Sequence, residues 1–536
     1  MTYALAALAG IFGGAALLAP QVWFLAFFAV AAFAFALHTE ASSGLLRHFG
    51  IGTLFGVVYS AGALFWLWDL LPITWAGIPE TKGFALVYLY WGSASAVLGI
   101  FFGVFALLYR VLRTENPALR ILFAASAWTL LQYAQMWAFA ALMAGNENGM
   151  AAHFSATMLG YALSAFSPLL YLAQFGGVYG LTFTVVLIGF AAEALMGKYA
   201  PSIKVKVAAV VLAVVACISV TLLDTKFHIV PSSPDERGVL NMGAITTDFF
   251  PKVSLSKAEV TERGRQIGEL LGDVSDTVRM LDVLIIPSGE FLSASGVEPT
   301  SVLKTVLTGN SPKIIDVATM ETSAGTYKRL TAYSSDGEIV ASHNTTLLAP
   351  VAEYPVYLFS SAQSYILGEH AARKNSLPVL HPGTTPQPLP LGDMKIGALL
   401  CAEIFSPSLY ADLSNSGAQI LINVCPDSWL HHGFMSTQML IAHAKLRAVE
   451  SGRYVAMVHN GASSAVVSDA GEVIARTPVG GISFMTAAGP LLGTRTAYSR
   501  LGESVLAIPL LLFLFTAASV VRKSVVRLKG GPSVQK

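Results

Sequence analysis

The chain has 536 residues, of which 54% are apolar and 12% charged, and its net charge is +1. A soluble domain carries roughly 25% charged residues, so a single soluble enzyme and a disordered chain are both excluded. The charge deficit is local: residues 1–223 hold only 14 Asp, Glu, Lys and Arg. No long basic run precedes the C-terminal tail, so nucleic-acid binding has no electrostatic support. Three cysteines, Cys217, Cys401 and Cys425, are too few for a disulfide framework.

A transmembrane helix needs about 20 mostly apolar residues. Windows of that length predict spans near 3–19, 22–38, 50–70, 84–109, 120–141, 169–195 and 205–223, with an eighth near 502–521. The first lacks a basic n-region, unlike a cleaved signal peptide. Orientation follows from Lys and Arg. Arg47, then Arg110, Arg113 and Arg120, then Lys198, Lys204 and Lys206, and finally the tail from Arg522 to Lys536 fall on one side of eight spans. The alternate short loops hold only Lys82. Both termini are therefore expected in the cytoplasm, with residues 224–500 outside it. The organisation expected is a seven-helix bundle over 1–223, an extracytoplasmic domain over 224–500, and a closing transmembrane helix with a basic tail over 501–536.

Residues 224–500 read as an α/β domain. Short β-rich apolar runs at Val239–Ile245, Val283–Pro287, Ile314–Ala318, Ile396–Leu400, Ile420–Val424, Tyr454–Val458 and Ala465–Val467 alternate with helical stretches at Lys257–Leu271 and Thr437–Glu450. That alternation predicts sheets covered by helices. Gly337 and Gly471 sit in hairpin-turn contexts. Leu377–Leu391 carries five prolines and is expected to be a loop.

Cys401 ends the apolar run Ile-Gly-Ala-Leu-Leu and precedes Ala-Glu-Ile-Phe-Ser-Pro. A thiol at the strand end, beside backbone N–H groups of a helix N-terminus, suits a nucleophile. The competing reading is a buried small hydrophobe. A thiol needs a base. Glu290, just past another strand in an apolar setting, is one candidate, or else a turn cap. Glu353, in a Pro-flanked loop, is a second. Glu403 is either part of the site or an ion-pair partner of Arg447, which lies on an amphipathic helix where a solvated or ion-paired face is the ordinary reading. His431–His432 lack the companion ligands of a metal motif, so no metal is expected.

Together these residues resemble the carbon–nitrogen hydrolase (nitrilase) superfamily, and the membrane half narrows the resemblance to the apolipoprotein N-acyltransferase family. Its carriers in the bundle are Gly62-Ala-Leu-Phe-Trp-Leu-Trp68, Ser126-Ala-Trp-Thr-Leu-Leu-Gln132 and Gly177-Val-Tyr-Gly-Leu-Thr-Phe183. In the domain they are Leu347-Leu-Ala-Pro-Val-Ala-Glu-Tyr354, Cys401-Ala-Glu403, Asn423-Val-Cys-Pro-Asp-Ser-Trp429, Leu446-Arg-Ala-Val-Glu-Ser-Gly-Arg453 and Asn460-Gly-Ala-Ser-Ser-Ala-Val-Val-Ser-Asp-Ala-Gly471.

The resemblance implies an α-helical membrane bundle, a nitrilase-like αββα sandwich and one C-terminal transmembrane helix. It also implies a Glu–Lys–Cys triad, with Cys401 as nucleophile, Glu290 as base, and Glu353 and Glu403 as supporting acids. Trp429 closes a matching loop and Arg447 a matching helix. The lysine position falls on Thr345; Lys328, in the preceding strand, and His343 are the substitutes at hand. Ala402 replaces an aromatic beside the nucleophile, and Cys425 and Pro426 depart from the pattern in the Asn-to-Trp loop. The implied reaction moves an acyl chain from a membrane phospholipid, through a cysteine thioester, to the N-terminal diacylglyceryl-cysteine of a lipoprotein. No cofactor is implied, and the setting is a bacterial inner membrane with the domain in the periplasm. Thr345 supports the alternative, a catalytically impaired, membrane-anchored binding or scaffold protein.

Overall fold

The structure, a computed structural model, describes residues 1–40, 42–76, 78–114, 116–145, 153–196, 234–250, 256–287, 312–350, 352–367, 379–426 and 428–529. The expected span near 205–223 and the candidate base Glu290 lie outside the described residues.

The N-terminal half is a helical bundle of α1 (Thr2–Leu18), α2 (Phe24–Thr39), α3 (Leu45–Ala63), α4 (Glu80–Val111), α5 (Pro117–Leu142) and α6 (Ala173–Met196). Of these, α4 and α6 are long and apolar enough to cross a membrane, and α1 and α2 are shorter apolar helices. Helix α2 carries Phe24, Phe28 and Phe35 on its outside, as expected where the solvent is lipid rather than water. Glycines spaced four apart draw α3 and α4 together. A Cβ on Gly52 would lie 2.2 Å from the Phe102 carbonyl oxygen, and one on Gly56 would lie 2.5 Å from that of Gly99. Small residues at that spacing let backbones approach where no hydrophobic force separates helix from lipid. Helix α5 starts where Asn116 Oδ1 accepts from the Ala118 and Leu119 N–H groups, with Pro117 at the first turn, a combination that fixes a helix start.

Two six-stranded sheets form the second half. The first runs β12-β1-β2-β3-β4-β5 and the second β11-β10-β9-β8-β7-β6. Their strands are β1 (Pro234–Thr246), β2 (Val283–Ile286), β3 (Lys313–Thr322), β4 (Gly325–Tyr333), β5 (Ile339–Asn344), β6 (Leu389–Leu391), β7 (Met394–Leu400), β8 (Ile420–Cys425), β9 (Val455–His459), β10 (Ala465–Val467), β11 (Val473–Arg476) and β12 (Ser483–Leu492). Alternation assigns the faces. Ile396, Ala398 and Leu400 of β7 and Ile420, Ile422 and Val424 of β8 fill the core between the sheets, against Leu330 and Ala332 of β4.

The first sheet is covered by α7 (Lys257–Asp273), which opens with a reciprocal Ser256–Glu259 capping box. The stretch Tyr357–Leu367 forms α8. The second sheet is covered by α9 (Pro407–Asn415) and α10 (Phe434–Ser451), through Leu409, Leu413, Leu440, Ala444 and Ala448. The layers are thus αββα. Helix α10 is buried on both sides, because Leu446 and Val449 pack into the membrane bundle. After β12 the chain re-enters the bundle as the apolar helix α11 (Ala507–Lys529).

Gly337 and Gly471 occupy hairpin turns with φ of 82° and 79°. Within the described part of the proline-rich stretch, residues 379–388 form a loop as expected, and only its end, Leu389–Leu391, departs from that expectation by forming β6. That strand is the sheet edge and Pro390 is exposed, the location where a strand tolerates a residue without an N–H.

Candidate active site

Cys401 ends β7 and opens a 3-10 turn, Cys401–Phe405. Its φ is 42°, a left-handed conformation that costs a non-glycine residue about 1–3 kcal/mol and persists only when its surroundings hold it. The expected α-helix begins later, at Pro407, because Ser406 caps it and proline favours the first helical position. The backbone donors beside the thiol therefore belong to a tight turn rather than to an α-helix.

Glu403 braces that turn. One of its oxygens accepts from Leu400 N–H at 2.7 Å, and the other from Thr346 and Leu347 N–H at 2.6 and 3.3 Å. It is fully buried, and its bonds tie the Cys401–Phe405 turn to the segment after β5. Arg447 is not its partner. Arg447 Nη2 lies 2.9 Å from Glu450 Oε2 inside α10 and donates to the Tyr161 hydroxyl at 2.9 Å.

Glu353 accepts from the Ala349 N–H at 2.7 Å through one oxygen and pairs with the Lys328 ammonium through the other. Lys328 lies on β4. Arg329 pairs with Asn344 in the β4–β5 ladder, and one step further Thr345 N–H donates to the Lys328 carbonyl at 2.9 Å. Cross-strand neighbours project to the same face with Cβ atoms about 4.5–5.5 Å apart. Lys328 therefore serves the same corner of the sandwich as a lysine at 345 would. Burial is the largest influence on its ammonium and pulls the pKa down. The charge of Glu353 and the hydrogen bond it accepts oppose burial, and the net shift is upward. A lysine held this way keeps its charge beside the thiol. Thr345 itself is buried, its hydroxyl turned to the Leu347 carbonyl at 3.4 Å. His343 sits opposite Leu330 with its Nε2 4.0 Å from Glu403, so it accompanies the brace.

Cys425 ends the neighbouring strand β8, buried and free like Cys401. Trp429 donates to the Pro426 carbonyl at 3.1 Å and joins Ala402, Leu67 and Leu70 in one apolar cluster. His431 and His432 face apart: the first contacts the Pro72 carbonyl and the second Asp248 Oδ1.

Sequence reasoning missed the support that the bundle lends to this site. Phe405, the last residue of the Cys401–Phe405 turn, has its ring 6.3 Å from Trp66 and 4.8 Å from Phe154, centroid to centroid, with His443 of α10 at 4.9 Å on the domain side. Ser155 donates its hydroxyl to the Phe405 carbonyl at 2.6 Å, and His153 bonds Ser406 at 2.8 Å. Asp69 of the bundle accepts from Ser436 N–H at 2.8 Å and so caps α10 from outside the domain. Trp66, Phe154, His153, Ser155 and Asp69 lie about 250 residues or more from the turn or helix they hold, and no local pattern announces them.

The αββα sandwich is the fold of the carbon–nitrogen hydrolases, and that family matches residues 307–491. The apolipoprotein N-acyltransferase N-terminal domain matches residues 9–191. The chain belongs to the apolipoprotein N-acyltransferase family. It is 22% identical over 470 residues to an apolipoprotein N-acyltransferase of Nostoc sp., covering 84% of this chain and 86% of the relative. It is 25% identical over 420 residues to one of Bradyrhizobium diazoefficiens, covering 76% and 74%. Among solved structures, an amidase from Nesterenkonia sp. aligns over 50% of this chain and 95% of its own at 15% identity, with a TM-score of 0.37. That likeness is one of outline and adds nothing to the site.

Proposed function

We propose that the protein transfers an acyl chain from a membrane phospholipid to the α-amino group of a diacylglyceryl-cysteine on a lipoprotein, through a thioester on Cys401. In the first step Glu290 takes the Cys401 thiol proton, and the thiolate attacks the ester carbonyl. The tetrahedral oxyanion forms within reach of the Lys328 charge and collapses to the thioester. The lysophospholipid alkoxide leaves with the proton from Glu290. In the second step the lipoprotein amine attacks the thioester, the amide bond forms, the Cys401–acyl bond breaks, and the amine proton passes through Glu290 to the leaving Cys401 sulfur, which restores the thiol. Preorganised charge at a developing oxyanion is worth about 3–4 kcal/mol per donor.

The observation that carries this reading is Lys328, paired with Glu353 and set across the ladder from Thr345. It fills the role that threonine at 345 leaves open, and it argues against an impaired scaffold protein. The test is mass spectrometry of the intact protein in phospholipid vesicles. An acyl adduct is expected on Cys401, lost in Cys401→Ala and discharged by a diacylated lipopeptide. Transfer that persists in Cys401→Ala overturns the reading.

A further inference from the structure

We infer that Tyr161 and Ser155, in the membrane-bundle half of the chain, are positioning residues for the nucleophile, acting through a one-directional hydrogen-bond relay that ends on the Cys401–Phe405 turn. This inference rests on Cys401 being the nucleophile. Four groups form the relay. Arg447 Nη2 is 2.9 Å from the Tyr161 hydroxyl, that hydroxyl is 2.5 Å from the Ser155 hydroxyl, and the Ser155 hydroxyl is 2.6 Å from the Phe405 carbonyl oxygen. Ser155 N–H reaches the same carbonyl at 3.3 Å.

The two ends fix its direction. A guanidinium can only donate and a carbonyl can only accept. Tyr161 must therefore accept from Arg447 and donate to Ser155, and Ser155 must donate to Phe405. Aligned in this way, each hydroxyl polarises the next. Tyr161, Ser155 and Arg447 are all at least 97% buried, so water does not compete for these bonds. Glu450 completes the anchor. Its carboxylate holds Arg447 and accepts at 2.7 Å from Val178 N–H, a donor freed where α6 breaks at Gly177 with φ of 58°.

The turn needs such holding because Cys401 sits at φ 42°. Glu403 grips its start and the relay grips its end. Without the relay the turn is free to relax toward ordinary backbone, which swings the thiol away from Lys328. The relay makes the thiol's reactivity depend on the bundle, with no bundle residue touching substrate.

The test labels the full-length protein in detergent with iodoacetamide and follows Cys401 and Cys425 separately by peptide mass spectrometry across pH 6–9. Tyr161→Phe and Ser155→Ala are each expected to slow Cys401 alkylation about tenfold, with thermal unfolding and Cys425 labelling unchanged. The double variant is expected to be no slower than Ser155→Ala alone, since residues in one chain of bonds are not additive. Wild-type Cys401 rates in the folded variants overturn the relay, as does a doubly additive loss or a parallel rise in Cys425 labelling. Should Tyr161→Phe fail to fold, Ser155→Ala carries the test. Alkylation is read without substrate, so failure of the relay is distinct from failure of the acyl-transfer reading, which Cys401→Ala decides.

Discussion

Lys328 faces Thr345 across the β4–β5 ladder, joined by the Thr345 N–H at 2.9 Å, while its ammonium pairs with Glu353. The two positions share one side of the sheet, so exchanging their residues moves the charge by about one strand spacing, roughly 5 Å. Lys328→Thr is expected to lower acyl-enzyme formation by about 10²–10³, the effect of losing one oxyanion donor. Thr345→Lys alone brings no gain, because a second ammonium beside Lys328 is disfavoured by like-charge repulsion. The exchanged pair, Lys328→Thr with Thr345→Lys, recovers much of the loss. Single-turnover rates of the three variants check this, and equal rates for Lys328→Thr and the exchanged pair refute it.

A second expectation concerns pH. Burial raises the Glu450 pKa to about 7 from 4.5, with Arg447 and the Val178 N–H opposing the rise. Between those values the folded state binds more protons than the unfolded one, so stability falls as pH rises. The contribution of Glu450 is complete below pH 4.5 and is lost on passing pH 7. Unfolding temperature in detergent is expected to decline between pH 5 and 8. In Glu450→Gln that decline is flattened, because the amide has no proton to lose over this range. An unaltered pH slope in Glu450→Gln would assign the decline to other groups.

The α3–α4 contact gives a sharper contrast. Gly52→Ala places a Cβ 2.2 Å from a backbone oxygen, and overpacking of that kind costs about 1–3 kcal/mol. Gly92, in the same α4, has open space around its Cβ position, so Gly92→Ala is neutral or stabilising by up to about 1 kcal/mol. Thermal unfolding of both variants in one detergent decides whether close packing or helix propensity rules here.

What was legible in the sequence was what is local. Strand ends, hairpin glycines and acidic loops mark themselves within a few residues, which is why Cys401, Glu353 and Glu403 could be named before any geometry, whereas Lys328 entered only through the resemblance, as the nearest lysine upstream of Thr345. The edge strand β6 was masked by its prolines, whose tolerance depends on a neighbour being absent on one side. Arg447 read as one face of an amphipathic helix. Its complete burial follows from α10 lying between a sheet and a bundle, and one helix's periodicity carries no sign of a second covering layer. The Ser155–Phe405 contact spans 250 residues and joins two halves that each look self-sufficient in composition.

The last prediction is sidedness. The domain meets the bundle at one end, through Asp69 on α10, Met143 O accepting from the Tyr354 hydroxyl, and Val178 N–H on Glu450. The opposite ends of α2, α5 and α6 gather His38 and Arg120 around Glu193, at 3.1 and 3.4 Å. Arg47, Arg110 and Arg113 lie at that same far end, at the start of α3 and the finish of α4. Basic residues near helix ends stay in the cytoplasm, so the far end is expected there and the sandwich outside. Reporter fusions after Lys206 should then read cytoplasmic, and fusions near Glu290 extracytoplasmic. Single cysteines at exposed sites, such as Asp336→Cys, should label with a membrane-impermeant maleimide in intact spheroplasts, whereas Arg113→Cys should label only after lysis. Labelling of Arg113→Cys in intact spheroplasts would place the domain in the cytoplasm, away from any lipoprotein amine on the outer face, and would end the acyl-transfer proposal.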